Sequence, residues 1–465
     1  MNNKYLRLFA LLLCPVILLS CMSSCGKDSD PETPDNSSGQ NGNNVSSDEH
    51  DPSTFFEMDG VLVDFTDSTV TVQIPNGDKY TFSTEGVEVS KDRSGIKTGC
   101  PIIVGYYGAL DDFAEVQNVD VSIIAIGKHP SLTYVEEKMA NMSLEEKVGQ
   151  MFFARCPGGN AAADVKSYHL GGYILFASNV KDKTKDQLKS EISACQKASD
   201  TGMFIGVDEE GGTVVRVSKY SAFRSKPFAS PRDVFASGGW DLIKSDAKEK
   251  AKLLSSLGFN VNFAPVCDVP SSSDDFIYKR AFSTDPKECA KFAETVIPIT
   301  NQNGVAGCLK HFPGYGNNVD THTGIAYDER GFETFEKRDF IPFISGINAG
   351  AKFIMVSHNI VKCMDEKRPA SLSPEVHNIL RSDLGFEGIM ITDDISMQGI
   401  TDFTDNADAA VLAVLAGNDM LCCTDYKEQI PAVIKAVKDG TIDEELIDSA
   451  VKRILLIKYE MGIAK

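Results

Sequence analysis

The sequence predicts an α/β protein: a (β/α)8, TIM-like barrel preceded by a small all-β module. Two observations predict the barrel. From Ser131 onward, eight short apolar runs alternate with longer amphipathic stretches, the pattern of a parallel sheet with helical crossovers. Polar and ionisable residues then gather just after those runs, where a barrel collects its functional groups. A third observation predicts the module. Between Phe55 and Gly127 the runs are short, β-branched and aromatic, with a turn signal at Pro75-Asn76-Gly77-Asp78.

Taken in order, the chain opens on a targeting segment, expected over residues 1–25. Lys4 and Arg7 supply positive charge, and Leu8–Leu19 is an apolar stretch too short for a comfortable membrane span. Leu18-Leu19-Ser20-Cys21 and Ser24-Cys25 each resemble a bacterial lipoprotein cleavage site. Cys21 has the better apolar lead, whereas Cys25 is followed by the acidic start Gly26-Lys27-Asp28-Ser29-Asp30. The balance tilts slightly to Cys25, and a plain cleaved signal peptide is the alternative. Residues 26–54 are rich in Asp, Ser, Asn, Gly and Pro and cannot bury enough surface to fold, so they read as a flexible tether. The expected location is the bacterial cell envelope, as an outer-membrane lipoprotein held through its N-terminal Cys.

Residues 55–128 are expected to form the β module. Its strands are Val61–Val63, Thr69–Ile74, Lys79–Phe82, Ile102–Tyr107 and Val119–Ile123, in a small antiparallel barrel or sandwich of roughly five to seven strands. No chemical constellation falls in it, and it reads as a spacer or binding module.

Residues 129–465 are expected to form the barrel. Its strand candidates are Gln150–Ala154, Gly172–Ala177, Phe204–Val207, Asn260–Ala264, Val305–Leu309, Phe353–Val356, Gly388–Thr392 and Met420–Cys423. Helical stretches between them include Lys185–Ser199, Asp241–Leu257, Pro286–Gln302, Phe332–Asn348 and Asn406–Leu415, with flanking helices at Leu144–Gln150 and Glu444–Met461. An open doubly wound sheet is the alternative, but no G-x-G-x-x-G follows the first strand.

Composition narrows the partners. A net charge of -20 argues against nucleic acid or an anionic membrane surface and fits neutral substrates. The nine cysteines from Cys100 onward are irregularly spaced, with no C-x-x-C pair, so they read as buried small hydrophobes rather than disulfide or zinc positions. The single Trp240 slightly favours a small polar pocket over a long cleft lined with aromatic platforms.

The strand ends carry the chemistry. The third strand runs into Asp208-Glu209-Glu210-Gly211-Gly212, with Arg216 further on. The fourth runs into Asp268, and its loop carries Arg280. The fifth runs into Lys310-His311, the sixth into Ser357-His358-Asn359, and the seventh into Asp393-Asp394. Any one strand-end Asp is as well explained as a helix N-cap. Together they surround one mouth. The segment Lys310–His322, K-H-F-P-G-Y-G-N-N-V-D-T-H, puts an ammonium, two imidazoles and a carboxylate on what reads as one loop.

These motifs resemble family 3 glycoside hydrolases, in their β-N-acetylglucosaminidase (β-N-acetylhexosaminidase) branch. The resemblance rests on Asp208-Glu209-Glu210-Gly211-Gly212-x3-Arg216, Asn262-Phe263-Ala264-Pro265-Val266, Lys310-His311-Phe312-Pro313-Gly314-x-Gly316, Asp320-x-His322 and Thr392-Asp393-Asp394-Ile395-Ser396-Met397, in the family's order over Met139–Lys465. It implies an exo-acting retaining glycosidase without a cofactor or metal, a monomer acting on glycans or oligosaccharides. It implies Asp393 as nucleophile, His322 as general acid/base and Asp320 as its orienting partner. Asp208, Arg216, Arg280, Lys310 and His311 would bind the non-reducing-end sugar. The residues are compatible with those roles. An imidazole with a pKa near ~6.5 exchanges protons near neutrality. Residues two apart in an extended segment share a side, so Asp320 can meet His322. Adjacent Asp393 and Asp394 should diverge, leaving Asp394 to loop hydrogen bonds.

Two features depart from many close relatives. Tyr315 stands where they carry a second His, and Asn317-Asn318-Val319 is a residue shorter. Three other readings compete: a metal-dependent barrel hydrolase using His311, His322, His358 and Asp393; a catalytically silent glycan-binding lipoprotein; and phosphorolysis. Lys310 beside His311 argues against a cation, and the joint presence of Asp320, His322 and Asp393 argues against silence.

Overall fold

The computed structural model describes residues 55–87, 89, 96–111, 114–319, 324–423 and 425–465. The expected signal peptide, lipidated Cys and tether, and the Asp320–His322 pair, lie outside the described residues. Among those described, no helix is long and apolar enough to cross a membrane.

The module is an antiparallel sheet of five strands whose two edges are linked by the bridges Phe82–Gln117 and Val89–Ile124, consistent with the small β barrel expected. Its strands are β1 (Phe55–Phe65), β2 (Thr69–Gln73), β3 (Lys79–Ser83), β4 (Pro101–Tyr107) and β5 (Asp120–Ile126), in the order β3-β2-β1-β4-β5. Alternation along these strands sends Leu62, Val70, Val72, Phe82 and Val104 to one buried face. The predicted turn closes with Ile74 N donating to Asp78 O at 3.0 Å.

The second sheet follows from the apolar runs. Its strands are β6 (Phe152–Arg155), β7 (Gly172–Leu175), β8 (Phe204–Val207), β9 (Val261–Asn262) and β10 (Ala306–Phe312). After β11 (Tyr327–Asp328) come β12 (Phe353–Val356), β13 (Ile360–Val361), β14 (Ile389–Thr392) and β15 (Leu421–Cys423). The order β14-β12-β10-β9-β8-β7-β6-β15 is parallel throughout, and an Ile391–Met420 bridge links its two ends, so the eight strands close into a barrel. Phe153, Phe204, Phe263 and Phe353 fill the interior, with Phe204 and Phe353 edge to face at 5.1 Å. Each such ring contributes about 1.5–3 kcal/mol on burial.

Three departures bear on the site. Strand β10 does not end at Leu309 but continues through Lys310, His311 and Phe312, all buried, so Lys310 and His311 are strand residues rather than loop residues. The helix expected at Asp241 begins at Pro231, capped by Ser230, and bends at Gly238-Gly239. That glycine pair, with Gly239 at φ +63°, hid the first turns from the helical period. The run Phe332–Asn348 is helical but contains a π turn at Phe335–Asp339.

The module meets the barrel at the end opposite the strand C-termini. Lys97 Nζ lies 3.3 Å from Glu460 Oε1, and Glu460 Oε2 takes Lys352, which precedes β12, at 2.8 Å. The module therefore does not line the mouth.

Candidate active site

The C-terminal ends of β8, β9 and β10 converge on one buried polar network. Lys310 is 2 % exposed and reaches Asp208 Oδ1 at 2.8 Å and Glu210 Oε1 at 2.7 Å. Arg280 grips Glu210 in a fork, Nη2 to Oε1 at 2.7 Å and Nε to Oε2 at 3.0 Å. The other face of the network is His311. Its Nδ1 lies 2.7 Å from Asp268 Oδ2, and its Nε2 lies 3.1 Å from Arg280 Nη2. A carboxylate can only accept and a guanidinium can only donate, so the ring carries its proton on Nδ1 and its lone pair on Nε2. Asp268 also accepts from His311 N at 3.1 Å and Tyr315 N at 2.8 Å.

Charge balance makes this network rigid. Burial works to raise the Glu210 carboxyl, but Lys310 and Arg280 outweigh it and hold the group well below the usual carboxylate range. Burial works to lower Lys310, but Asp208 and Glu210 outweigh it and raise the ammonium. The result is a polar floor with its cations already oriented, at no further cost when a polar ligand arrives.

The three acidic residues of the first motif separate into three roles. Asp208 faces Lys310. Glu209, fully buried, accepts from the backbone N–H groups of Arg216, Val217 and Ser218 at 2.7–3.1 Å and so sets the loop that carries Arg216. Glu210 is the centre of the ion network. The Arg216 guanidinium is half-buried and forms no hydrogen bond or ion pair among the described residues.

Asp393 follows β14. Its Oδ1 accepts from Asp394 N at 2.8 Å, which fixes the carboxylate's orientation. Asp394 points elsewhere: its Oδ1 accepts from Ser396 N at 2.9 Å and Oγ at 2.7 Å, the loop role expected for it. Burial pushes the thiol of Cys308, on the same strand as Lys310, well above its ordinary value, with Lys310 opposing the shift.

The Glycosyl hydrolase family 3 N-terminal domain matches residues 143–457. The chain belongs to glycosyl hydrolase family 3. It is 30% identical over 327 residues to a beta-hexosaminidase A of Pseudoalteromonas piscicida, covering 64% of this chain and 54% of that one. A family 3 beta-N-acetylglucosaminidase structure from Paenibacillus superposes with a TM-score of 0.65 at 28% identity, over 69% of this chain and 63% of that one. A beta-N-acetylhexosaminidase structure from Beutenbergia cavernae gives 0.62 at 26% identity, over 69% of this chain and 99% of that one. The chain thus spans about half the length of the Pseudoalteromonas relative and nearly all of the Beutenbergia structure.

The structure brings Asp208, Arg280, Lys310 and His311 into one network, with Arg216 on the loop that Glu209 sets. Asp320 and His322 fall outside the described residues. Sequence reasoning missed the parts of Glu210 and Asp268. Both were visible as strand-end carboxylates, but nothing local says which cation each one holds. It also missed Arg330, whose partners Asp328, Asp339 and Gly314 lie on both sides of it in the chain. Trp240 packs on Phe235 and Phe282, with Lys291 Nζ 4.6 Å above its ring, a packing role on the outer helices.

His311 and His358 are poorly placed to bind a metal. Both ring nitrogens of each are engaged, His358 Nε2 donating to Asp394 O at 3.0 Å and Nδ1 sitting 2.7 Å from Ser371 Oγ. The cysteines are mostly buried as expected, but Cys363 is exposed.

Asp339 yields a test of the network's electrostatics. Its carboxyl is 1 % exposed, and burial pushes it up to about 7 against the pull of Arg330. The folded state then keeps a proton that the unfolded chain gives up near 3.8. Stability from this group is complete below that value and is lost as pH rises through about 7. In denaturant titrations at about pH 5 and about pH 8, Asp339→Asn should flatten the fall in stability with pH. An unchanged slope in the variant would assign the pH dependence elsewhere.

Proposed function

We propose that this family 3 protein hydrolyses terminal, non-reducing, β-linked N-acetylglucosamine or N-acetylhexosamine residues from glycans, with retention of configuration. One observation carries the reading. A pre-oriented floor of Asp208, Lys310, Glu210, Arg280, His311 and Asp268 stands at the mouth of a family 3 barrel, the end at which Asp393 follows β14. Buried charged donors and acceptors of this kind suit the hydroxyl groups of a single sugar ring. The names of the Paenibacillus and Beutenbergia relatives support the N-acetylated sugar.

In this mechanism the Asp393 carboxylate attacks the anomeric carbon while His322 gives its proton to the leaving oxygen. Asp320 holds His322 in the right tautomer and stabilises the imidazolium, as the acid of a triad does. The C–O bond to the aglycone breaks and an ester to Asp393 forms. His322, now neutral, takes a proton from water, whose oxygen displaces Asp393 and restores the β configuration. The N-terminal segment supports an envelope lipoprotein held through Cys25 or Cys21, which metabolic labelling with a fatty acid and Cys→Ala variants at each position would test.

The direct assay is release of 4-nitrophenol from its N-acetyl-β-D-glucosaminide. Wild-type protein should release it, and free N-acetylglucosamine should accumulate whether or not phosphate is present. No release, or a sugar 1-phosphate as product, would overturn hydrolysis. In the same assay His322→Ala should cost on the order of 10-fold with 4-nitrophenol as leaving group and about 10³-fold with a sugar, because only the poor leaving group needs the proton. Equal losses on both substrates would remove His322 from the acid role.

A further inference from the structure

The glycines of the H-F-P-G-Y-G segment are pinned by close packing. Arg330 lies beneath Gly314-Tyr315-Gly316 with every N–H of its guanidinium committed. Nε donates to Asp328 Oδ1 at 3.0 Å, and Nη1 donates to both Asp339 oxygens at 3.0 Å. Nη2 donates to Asp328 Oδ2 at 2.7 Å and to the Gly314 carbonyl at 2.8 Å. The π turn at Phe335–Asp339 carries both Asp339 and Phe335, whose ring centroid lies 4.4 Å from the Arg330 guanidinium carbon. A Cβ on Gly316 would collide with the guanidinium, and one on Gly314 would come to 2.6 Å from Asp339 Oδ1. Both glycines are therefore required by close approach to this ion cluster, as well as by φ of +123° and +55°. Asn318 adds a further tie, donating to the Tyr315 carbonyl at 3.0 Å and to Asp328 Oδ2 at 2.5 Å.

What the clamp holds is Tyr315, and Tyr315 leads to the sugar floor. Its backbone N–H donates to Asp268 Oδ1, the same carboxylate whose Oδ2 orients His311. Its ring, 2 % exposed, stands edge-on to the His311 imidazole at 5.1 Å and 88°. On its other side the ring meets Phe276 at 5.9 Å. The imidazole is thus fixed by Asp268 in its plane and by Tyr315 against its side, and both depend on where residues 314–316 sit. Supporting contacts of this kind decide how well a binding group is aimed.

We propose that Arg330 is a positioning residue for the sugar pocket: through Gly314-Tyr315-Gly316 and Asp268 it sets the orientation of His311. The proposal rests on the reading of this floor as the sugar site. It also gives Tyr315 a role, as the packed link between clamp and pocket.

The test uses the full chain with Arg330→Met and Arg330→Lys, the second keeping the charge but not the planar fork. Steady-state kinetics with the 4-nitrophenyl substrate, inhibition by free N-acetylglucosamine and a thermal melt are read together. Each folded variant should raise KM and the inhibition constant together, by on the order of 10-fold. Arg330→Lys decides the matter if Arg330→Met does not fold. A residue that only supports the fold would lower kcat through a smaller active fraction, with KM and the inhibition constant unchanged, and that result would overturn the proposal. Wild-type protein that neither turns over the substrate nor binds N-acetylglucosamine by calorimetry would instead sink the glycosidase reading itself.

Discussion

Asp393→Ala is expected to lower kcat/KM for the 4-nitrophenyl substrate by on the order of 10⁴-fold, with the fold and thermal midpoint nearly unchanged. The small structural effect follows from the site. Asp393 is half-buried, and its Oδ1 accepts from the neighbouring Asp394 N–H, which can turn to water. The large kinetic effect follows from the nucleophile's role proposed for Asp393. Without this carboxylate no covalent intermediate forms, and the oxocarbenium-like transition state loses its nearest negative charge. Azide added to the variant should enter the space left by the side chain and attack from the face Asp393 used. The product would be an α-glycosyl azide, opposite in configuration to the wild-type product. Full activity in Asp393→Ala, or a β-azide, would remove Asp393 from the nucleophile's place. Asp394→Ala is the control: its carboxylate holds Ser396.

Glu210→Ala is expected to cost about 3–5 kcal/mol of stability, the usual result of removing one partner from a buried ion pair. Glu210 receives three charge-assisted hydrogen bonds, two from Arg280 and one from Lys310. Without it, Lys310 keeps Asp208, but the Arg280 fork is left with the His311 nitrogen as its side-chain acceptor among the described residues. Glu210→Gln does not rescue the site. Its amide offers one accepting oxygen where three donors converge, and its NH2 meets another cation head-on. Both variants should therefore lose sugar binding as well as stability. The pH sign is also set. Lys310 and Arg280 hold the Glu210 carboxyl well below its ordinary value of 4.5. Its contribution is thus complete above that value and is lost only as the pH falls through the depressed pKa. Urea unfolding at about pH 7 should show the full difference between wild type and Glu210→Ala, and at about pH 5 it should persist. A difference under about 1 kcal/mol at neutral pH would mean that water, not the protein, solvates these charges.

Much of the architecture was legible from the residues. Eight apolar runs of four to six residues, separated by amphipathic stretches, report local period and length, and those survive in any environment. Hence β8 and β12 fell where the runs lay, and the helix Pro286–Gln302 matched end to end. Strand β10 was cut short at Leu309 because a Lys and a His read as the start of a loop. Burial of two ionisable groups inside a strand becomes tolerable only once Asp208, Glu210 and Asp268 stand beside them.

The candidate site divides in the same way. The sequence alone determined which residue types reach the barrel mouth, because Asp208, Lys310, His311 and Asp393 sit directly after apolar runs, with Arg216 and Arg280 on the loops that follow, and strand direction carries them to the C-terminal end. Which group holds which was decided only by the tertiary structure. Lys310 meets Asp208 across 102 positions, and His311 meets Asp268 across 43. Such pairings depend on strand order and on the low polarity around them, and neither is a property of a short stretch of chain. The same holds for Gly314 and Gly316. The letters show two glycines in a turn, and only the packed Arg330 beneath them shows why nothing larger fits.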